Sequence, residues 1–163
     1  MKFFEDIEIG EAYEIGPHLF TADEIVDFAR KYDPQRFHLT EEGGRDSQFG
    51  GLCASGWHTT CAWMKHNVRY IERQMRTAAA SGQRPPRIGP SPGFDELVWK
   101  LPVFPGDEVT YRNTVVGTRD LERHPGWGLV SFRVEARKAD GALAMSFLGS
   151  FMLERREPLA TRS

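Results

Sequence analysis

The chain predicts an α+β fold in which a long helix covers one face of an antiparallel sheet. Three observations point there. Ala54, Trp57, Cys61, Met64, Val68, Ile71 and Met75 recur at spacings of three and four, one stripe of a long helix. Beyond residue 109 the period switches to two, with Val109, Tyr111 and Val115 alternating with Thr110, Arg112 and Thr114. The helical signals precede most of the strands, the order expected of segregated rather than alternating elements.

Each element has its own local cause. Residues 13–20 read as a short extended stretch, placed at a sheet edge by Pro17, which cannot donate to a ladder. Thr21 with Glu24 forms a capping box, and Phe20 with Ile25 a hydrophobic staple. Ile25, Phe28, Ala29 and Tyr32 continue that helix as one stripe. Pro34 then disfavours helical geometry at Asp33 and ends the helix near Tyr32. Polar residues from Thr40 to Gln48 lead to Gly50-Gly51 and the long helix, which fades by Ser81-Gly82. A lone coiled-coil seam would show the same stripe, but the strands that follow favour a helix lying along a sheet.

Prolines make residues 82–93 a loop. Phe94, Leu97, Trp99 and Leu101 open the first strand after it, and Pro105-Gly106-Asp107 turns the chain. Val130, Phe132, Val134 and Ala136 share one strand face. Ala139-Asp140-Gly141 makes a hairpin, and Leu143, Met145, Phe147, Phe151 and Leu153 line the last strand. One domain over residues 1–154 is predicted, with 155–163 as a polar, frayed tail.

Composition narrows the functional classes. A chain of 163 residues, 40% hydrophobic and 27% charged, suits one globular domain. A formal charge of −2 gives no general reason to bind nucleic acid or an anionic membrane. Acidic residues follow Phe3-Phe4 before any apolar core of a signal peptide forms, and no apolar run is long enough to span a bilayer. Cys53 and Cys61, read as lying on one helix, are about 12 Å apart, too far for a disulfide. A reducing, cytoplasmic location is the expectation.

Two segments carry candidate chemistry. In Tyr32-Asp33-Pro34-Gln35-Arg36-Phe37-His38, a carboxylate and an imidazole five residues apart can converge on one small ligand. This pair suits proton transfer near neutral pH, because histidine titrates near 6.5 and the carboxylate can orient it. A plain surface loop with Asp33 capping a turn fits the spacing too. In Gly50-Gly51-Leu52-Cys53-Ala54-Ser55-Gly56-Trp57, small residues run into the long helix, whose first N–H groups and dipole favour a developing negative charge. Ser55 as a simple N-cap is the competing reading. Trp57 and Trp63 read as core or interface residues. His58 and His66 lie eight apart without a third ligand, so no metal site is expected. Phosphate-cradling, dinucleotide and nucleophile-elbow motifs are absent.

Asp33 through His38, the run Phe49-Gly50-Gly51-Leu52-Cys53-Ala54-Ser55-Gly56-Trp57-His58-Thr59, and Leu101-Pro102-Val103-Phe104-Pro105-Gly106-Asp107 together resemble the MaoC-like dehydratases. These are the (R)-specific enoyl-CoA hydratase group of the hot-dog fold. The resemblance spans about residues 3–154, with the three blocks in the family's order. It implies Asp33 and His38 as the catalytic pair of a D-x-N-P-x-H motif. It also implies Gly56, between Ser55 and Trp57, as the glycine whose N–H holds the thioester oxygen. The implied reaction is syn addition of water across a trans-2-enoyl-CoA double bond, or its reverse, with His38 as base and Asp33 as proton donor or orienter.

The same resemblance implies an acyl-CoA-type substrate, no separate cofactor since CoA enters with the substrate, and a homodimer or higher homo-oligomer. Gln35 and Arg36 depart from the motif's Asn and Pro, and Thr40 replaces an acidic residue found two beyond the histidine. Arg36 thereby places a cation near the pair, suited to an acyl group that carries a carboxylate or to solvent. A hot-dog thioesterase and a non-catalytic acyl-thioester-binding subunit are the alternatives. Arg84, Arg87, Arg119 and Arg123, expected in loops, are the candidates for CoA phosphates.

Overall fold

The computed structural model describes residues 1–160; the end of the predicted tail, 161–163, lies outside the described residues. Strand β1 (Ala12–Leu19) leads into α1 (Ala22–Tyr32), two short helical turns α2 (Arg36–Leu39) and α3 (Glu41–Arg45), and the long α4 (Gly56–Ala80). Strands β2 (Phe94–Trp99), β3 (Glu108–Asp120), β4 (Trp127–Lys138) and β5 (Leu143–Glu154) complete the chain. The five strands form one antiparallel sheet in the order β1-β3-β4-β5-β2, with α4 against one face. This is the hot-dog fold. Both sheet edges, β1 and β2, come from the ends of the topology, and β1 holds the proline that predicted an edge.

The α1 signals are half observed. Thr21 Oγ1 accepts from the Glu24 N–H at 3.2 Å, and Phe20 and Ile25 are fully buried, each burial worth about 1.5–3 kcal/mol. The Glu24 carboxylate does not return to the cap. It turns to His18 and Lys65, at 3.1 and 3.4 Å, because those partners offer charge and burial that an exposed backbone N–H does not.

The core joins Phe20, Ile25, Trp63, Val109, Tyr111, Val134, Met145 and Phe147 across α1, α4 and the sheet. The predicted strand faces of β3, β4 and β5 are those that point inward. The stripe predicted to bury α4 does not. Trp57, Cys61, Met64 and Val68 are exposed, while His58, Thr59, Ala62 and Trp63 face inward. The sheet satisfies part of that more polar face: Trp63 Nε1 donates to Asn113 Oδ1 at 2.9 Å, and the Tyr111 hydroxyl donates to the Thr59 carbonyl at 3.0 Å. Buried polar groups with partners carry little cost, so hydrophobic periodicity alone misassigned the face of the first turns, while Met64, Val68 and Ile71 further along line a cavity shared with sheet residues.

Three further expectations change. Cys53 lies before α4, not on it, since the helix starts at Gly56 after its cap Ser55. Arg119 belongs to β3, not to a loop. The tail is not frayed at its start: Arg155 N–H and Leu159 N–H donate to the Gly126 and Pro125 carbonyls at 2.9 and 2.8 Å, and Arg156 pairs with Asp6 at 2.6 Å.

Candidate active site

Asp33 caps the C-terminus of α1, its N–H donating to the Ala29 carbonyl at 3.0 Å while Pro34 prevents another turn. The segment beyond is helical over Arg36–Leu39. The single turn α2 swings His38 back under α1 and buries it. Residues 52–54 are pinned beside that turn. The Cys53 N–H donates to the Phe37 carbonyl at 3.2 Å, and the Ala54 N–H to the Val103 carbonyl at 2.7 Å. Phe37 and Val103 belong to the two other sequence blocks that carry the resemblance, so those blocks meet here.

The two predicted proton-transfer groups converge. His38 Nε2 lies 3.5 Å from Asp33 Oδ2. His38 Nδ1 lies 2.7 Å from the Cys53 carbonyl. A carbonyl only accepts, so Nδ1 carries the proton of the neutral ring and Nε2 presents a lone pair towards Asp33. At 3.5 Å the two acceptors face one another without a direct hydrogen bond, and a water lying to one side of the pair can donate to both.

Asp33 is held from both sides. Ser55 Oγ donates to Oδ2 at 2.6 Å and Gln35 Nε2 donates to Oδ1 at 2.8 Å. Desolvation pushes the carboxyl up, but these two hydrogen bonds, joined by the charge of His38 when its ring is protonated, outweigh it and hold Asp33 below the ordinary aspartate range. It is a carboxylate at neutral pH. Gln35, a departure from the family's motif, therefore does positioning work. Arg36 does not join the site: its guanidinium is exposed and pairs with Asp46 at 3.1 Å.

The predicted helix-start residues separate into different roles. Ser55 is fully buried, and its hydroxyl accepts from the Trp57 N–H at 3.2 Å while donating to Asp33. The hydroxyl is thus an N-cap and a brace for the carboxylate at once. Gly56 occupies the first helical position, where an N–H has no intrahelical acceptor. A Cβ there would lie 2.3 Å from the Trp99 ring, so only glycine lets that ring lie against the helix start. The Trp57 N–H is engaged by Ser55, and its half-exposed indole meets Trp99 edge-on at 5.0 Å and Phe94 at 6.4 Å.

Cys53 is buried at the site, and burial pushes its thiol up to about 11, so it packs as a neutral group. Arg84 and Arg87 are both engaged with Glu154, at 2.8 and 3.0 Å. A cavity of about 260 Å³ lies beside α1, and one of about 580 Å³ lies between the later turns of α4 and the sheet. Met64, Val68, Ile71, Phe132, Phe147 and Phe151 are among the residues lining the larger one, and neither Asp33 nor His38 lines either.

Sequence reasoning named Asp33, His38, Ser55 and Gly56 but missed Gln35 as a partner of Asp33. Its amide at i+2 from a carboxylate was the available signal.

No protein-family model matches the chain. Among curated proteins, the mesaconyl-CoA hydratase of Haloarcula marismortui is 33% identical over 70 residues, which are 42% of this chain. That matched segment spans only 20% of the relative's length. An (R)-hydratase from A. caviae involved in PHA biosynthesis shares the fold at 21% identity, with a TM-score of 0.57 over 93% of this chain and 98% of that one. The MaoC-like dehydratase from Rhodospirillum rubrum superposes with a TM-score of 0.80 at 31% identity, covering 96% of this chain and 99% of that one. With that identity over nearly the full length of both, and with the three motif blocks meeting at one site, the chain belongs to the MaoC-like dehydratase family.

Proposed function

We propose that the chain is a hydro-lyase that adds water to, or removes it from, the 2,3 double bond of an enoyl-CoA-type thioester. The observation that carries this reading is the convergence of His38 Nε2 on the Asp33 carboxylate, with the imidazole tautomer set by the Cys53 carbonyl. A water beside the pair donates one hydrogen bond to Asp33, which orients it, and its other proton passes to His38 Nε2 as its oxygen bonds to C3. The π electrons shift towards the thioester, whose oxygen accepts from the Gly56 N–H. The imidazolium then returns the proton to C2. Because one group takes and returns the proton, hydrogen and hydroxyl arrive on the same face. Asp33, already ionised, balances the transient imidazolium and is not the initial donor.

The aromatic flank of Trp57, Phe94 and Trp99 and the exposed edge strand β2 lie beside Gly56. In this reading a second copy of the chain packs there and supplies the remaining wall of the acyl-CoA site, making a homodimer or a higher homo-oligomer. No group besides the substrate's own CoA is required.

The test is turnover on straight, branched and dicarboxylic enoyl-CoA panels, following enoyl absorbance and free thiol together. Absorbance falls with no thiol released, and Asp33→Asn and His38→Ala each lower kcat by about 10²–10⁴-fold. Thiol release at the rate of substrate loss would make the chain a thioesterase. Full activity in both variants would remove this site from the chemistry.

A further inference from the structure

A second polar cluster lies outside the site just described. His18 on β1, Glu24 in the first turn of α1 and His58 in the first turn of α4 bring their ligand atoms within 4.8 Å of one another. Both histidines are more than nine-tenths buried, and His18 Nε2 and His58 Nδ1 have no hydrogen-bond partner. His18 Nε2 is 3.1 Å from Glu24 Oε2, but without the direction of a hydrogen bond. Unpartnered buried nitrogens cost about 1–3 kcal/mol each, so two in one cluster call for an explanation.

We propose that His18, Glu24 and His58 form a binding site for a late first-row divalent cation, with zinc as the fitting ion. Two imidazoles and one carboxylate are a zinc donor set, and bonds of about 2.0–2.2 Å to a shared tetrahedral ion place neighbouring donor atoms about 3.3–3.6 Å apart. The His18–Glu24 spacing of 3.1 Å lies within a few tenths of an ångström of that range. The adjoining cavity of about 260 Å³ leaves room for a fourth, solvent-derived ligand and a way in. Outer partners are present too. His66 Nε2 lies 3.1 Å from His18 Nδ1, and Lys65 Nζ lies 3.4 Å from Glu24 Oε1, leaving Oε2 towards the cluster.

The ion fastens the edge strand to the two helices that carry Asp33 and Gly56. Its role is to hold the frame, with no part in moving water.

The experiment is equilibrium dialysis of the full chain against zinc after treatment with a chelator, with melting curves alongside. The expected result is one zinc per chain and a rise in Tm with zinc concentration. Glu24→Gln keeps the side chain's shape, and His58→Gln keeps a polar group; each weakens binding at least about 100-fold. Asp33→Asn binds zinc as the parent does. Absence of saturable binding to the parent would overturn the assignment. So would parental affinity in both cluster variants, or loss of binding in Asp33→Asn alone. The readouts do not depend on turnover, so failure of the hydratase reading and failure of this one are separable.

Discussion

Two polar clusters sit against the first turns of α4, and they are built on opposite terms. Around Asp33 and His38, both carboxylate oxygens, the Ser55 hydroxyl and His38 Nδ1 each have a partner between 2.6 and 2.8 Å. Around His18 and His58, two buried nitrogens have none. The contrast teaches what each can do. Saturated hydrogen bonding aims a lone pair and a charge at a fixed gap, which is the requirement for proton transfer. Unsaturated donor atoms hold nothing in place until a ligand arrives.

Ser55→Ala should have the largest effect on stability. It removes a helix cap worth about 1 kcal/mol and a hydrogen bond to a charged group worth about 1.5–3 kcal/mol, so about 2.5–4 kcal/mol is lost in urea unfolding. Asp33 also loses a donor that keeps its carboxyl low, so the acid limb of kcat/KM against pH moves to higher pH. The linked stability has a definite sign. A depressed carboxyl stabilises the fold above its unfolded value and ceases to do so as pH falls through the folded one. The gap between parent and variant therefore narrows in acid. An unmoved acid limb would separate Ser55 from the titrating carboxylate.

Next comes a matched pair. His38→Phe strands the buried Cys53 carbonyl and should cost about 2 kcal/mol. His58→Phe in chelator-treated buffer removes an unpartnered nitrogen and keeps the stacking on Phe28, where the rings are 4.5 Å apart and 5° from parallel. Its cost should be under about 0.5 kcal/mol. Equal losses in the two variants would erase the contrast between the clusters.

Smaller effects follow from exposed groups. Gln35→Ala removes one donor to Asp33 and should lower kcat less than about 10-fold, with a smaller movement of the acid limb than Ser55→Ala. Arg36→Ala should leave kcat/KM unchanged for every acyl group and shift stability by less than about 0.5 kcal/mol, since its ion pair with Asp46 is exposed. A selective loss on dicarboxylic substrates would show that Arg36 leaves Asp46 to hold substrate.

Much of the site was legible because its parts are local. Thr21 and Pro34 bound α1 within their own neighbourhoods, and that is enough to put Asp33 at its end. The resemblance then supplied Gly56. What stayed hidden depends on residues far apart in the chain. Ser55 braces Asp33 from 22 positions away, and nothing at either position announces it. His18 was invisible for a different reason. A bulge at Gly16, where φ is +102°, breaks the alternation of β1, so Ile15 and His18, three apart, both face inward. A strict period of two would have paired Ile15 with Pro17.

The sequence by itself determined the order of the two main helices and the strands, the faces of β3, β4 and β5, and the end of α1, because each follows from backbone preferences and periodicity within a few residues. Only the tertiary structure decided which face of α4 is buried, where the Glu24 carboxylate turns, and that Gln35 rather than Arg36 serves the carboxylate. Those choices are settled by partners for buried polar atoms, and such partners come from distant strands and helices that no local pattern encodes.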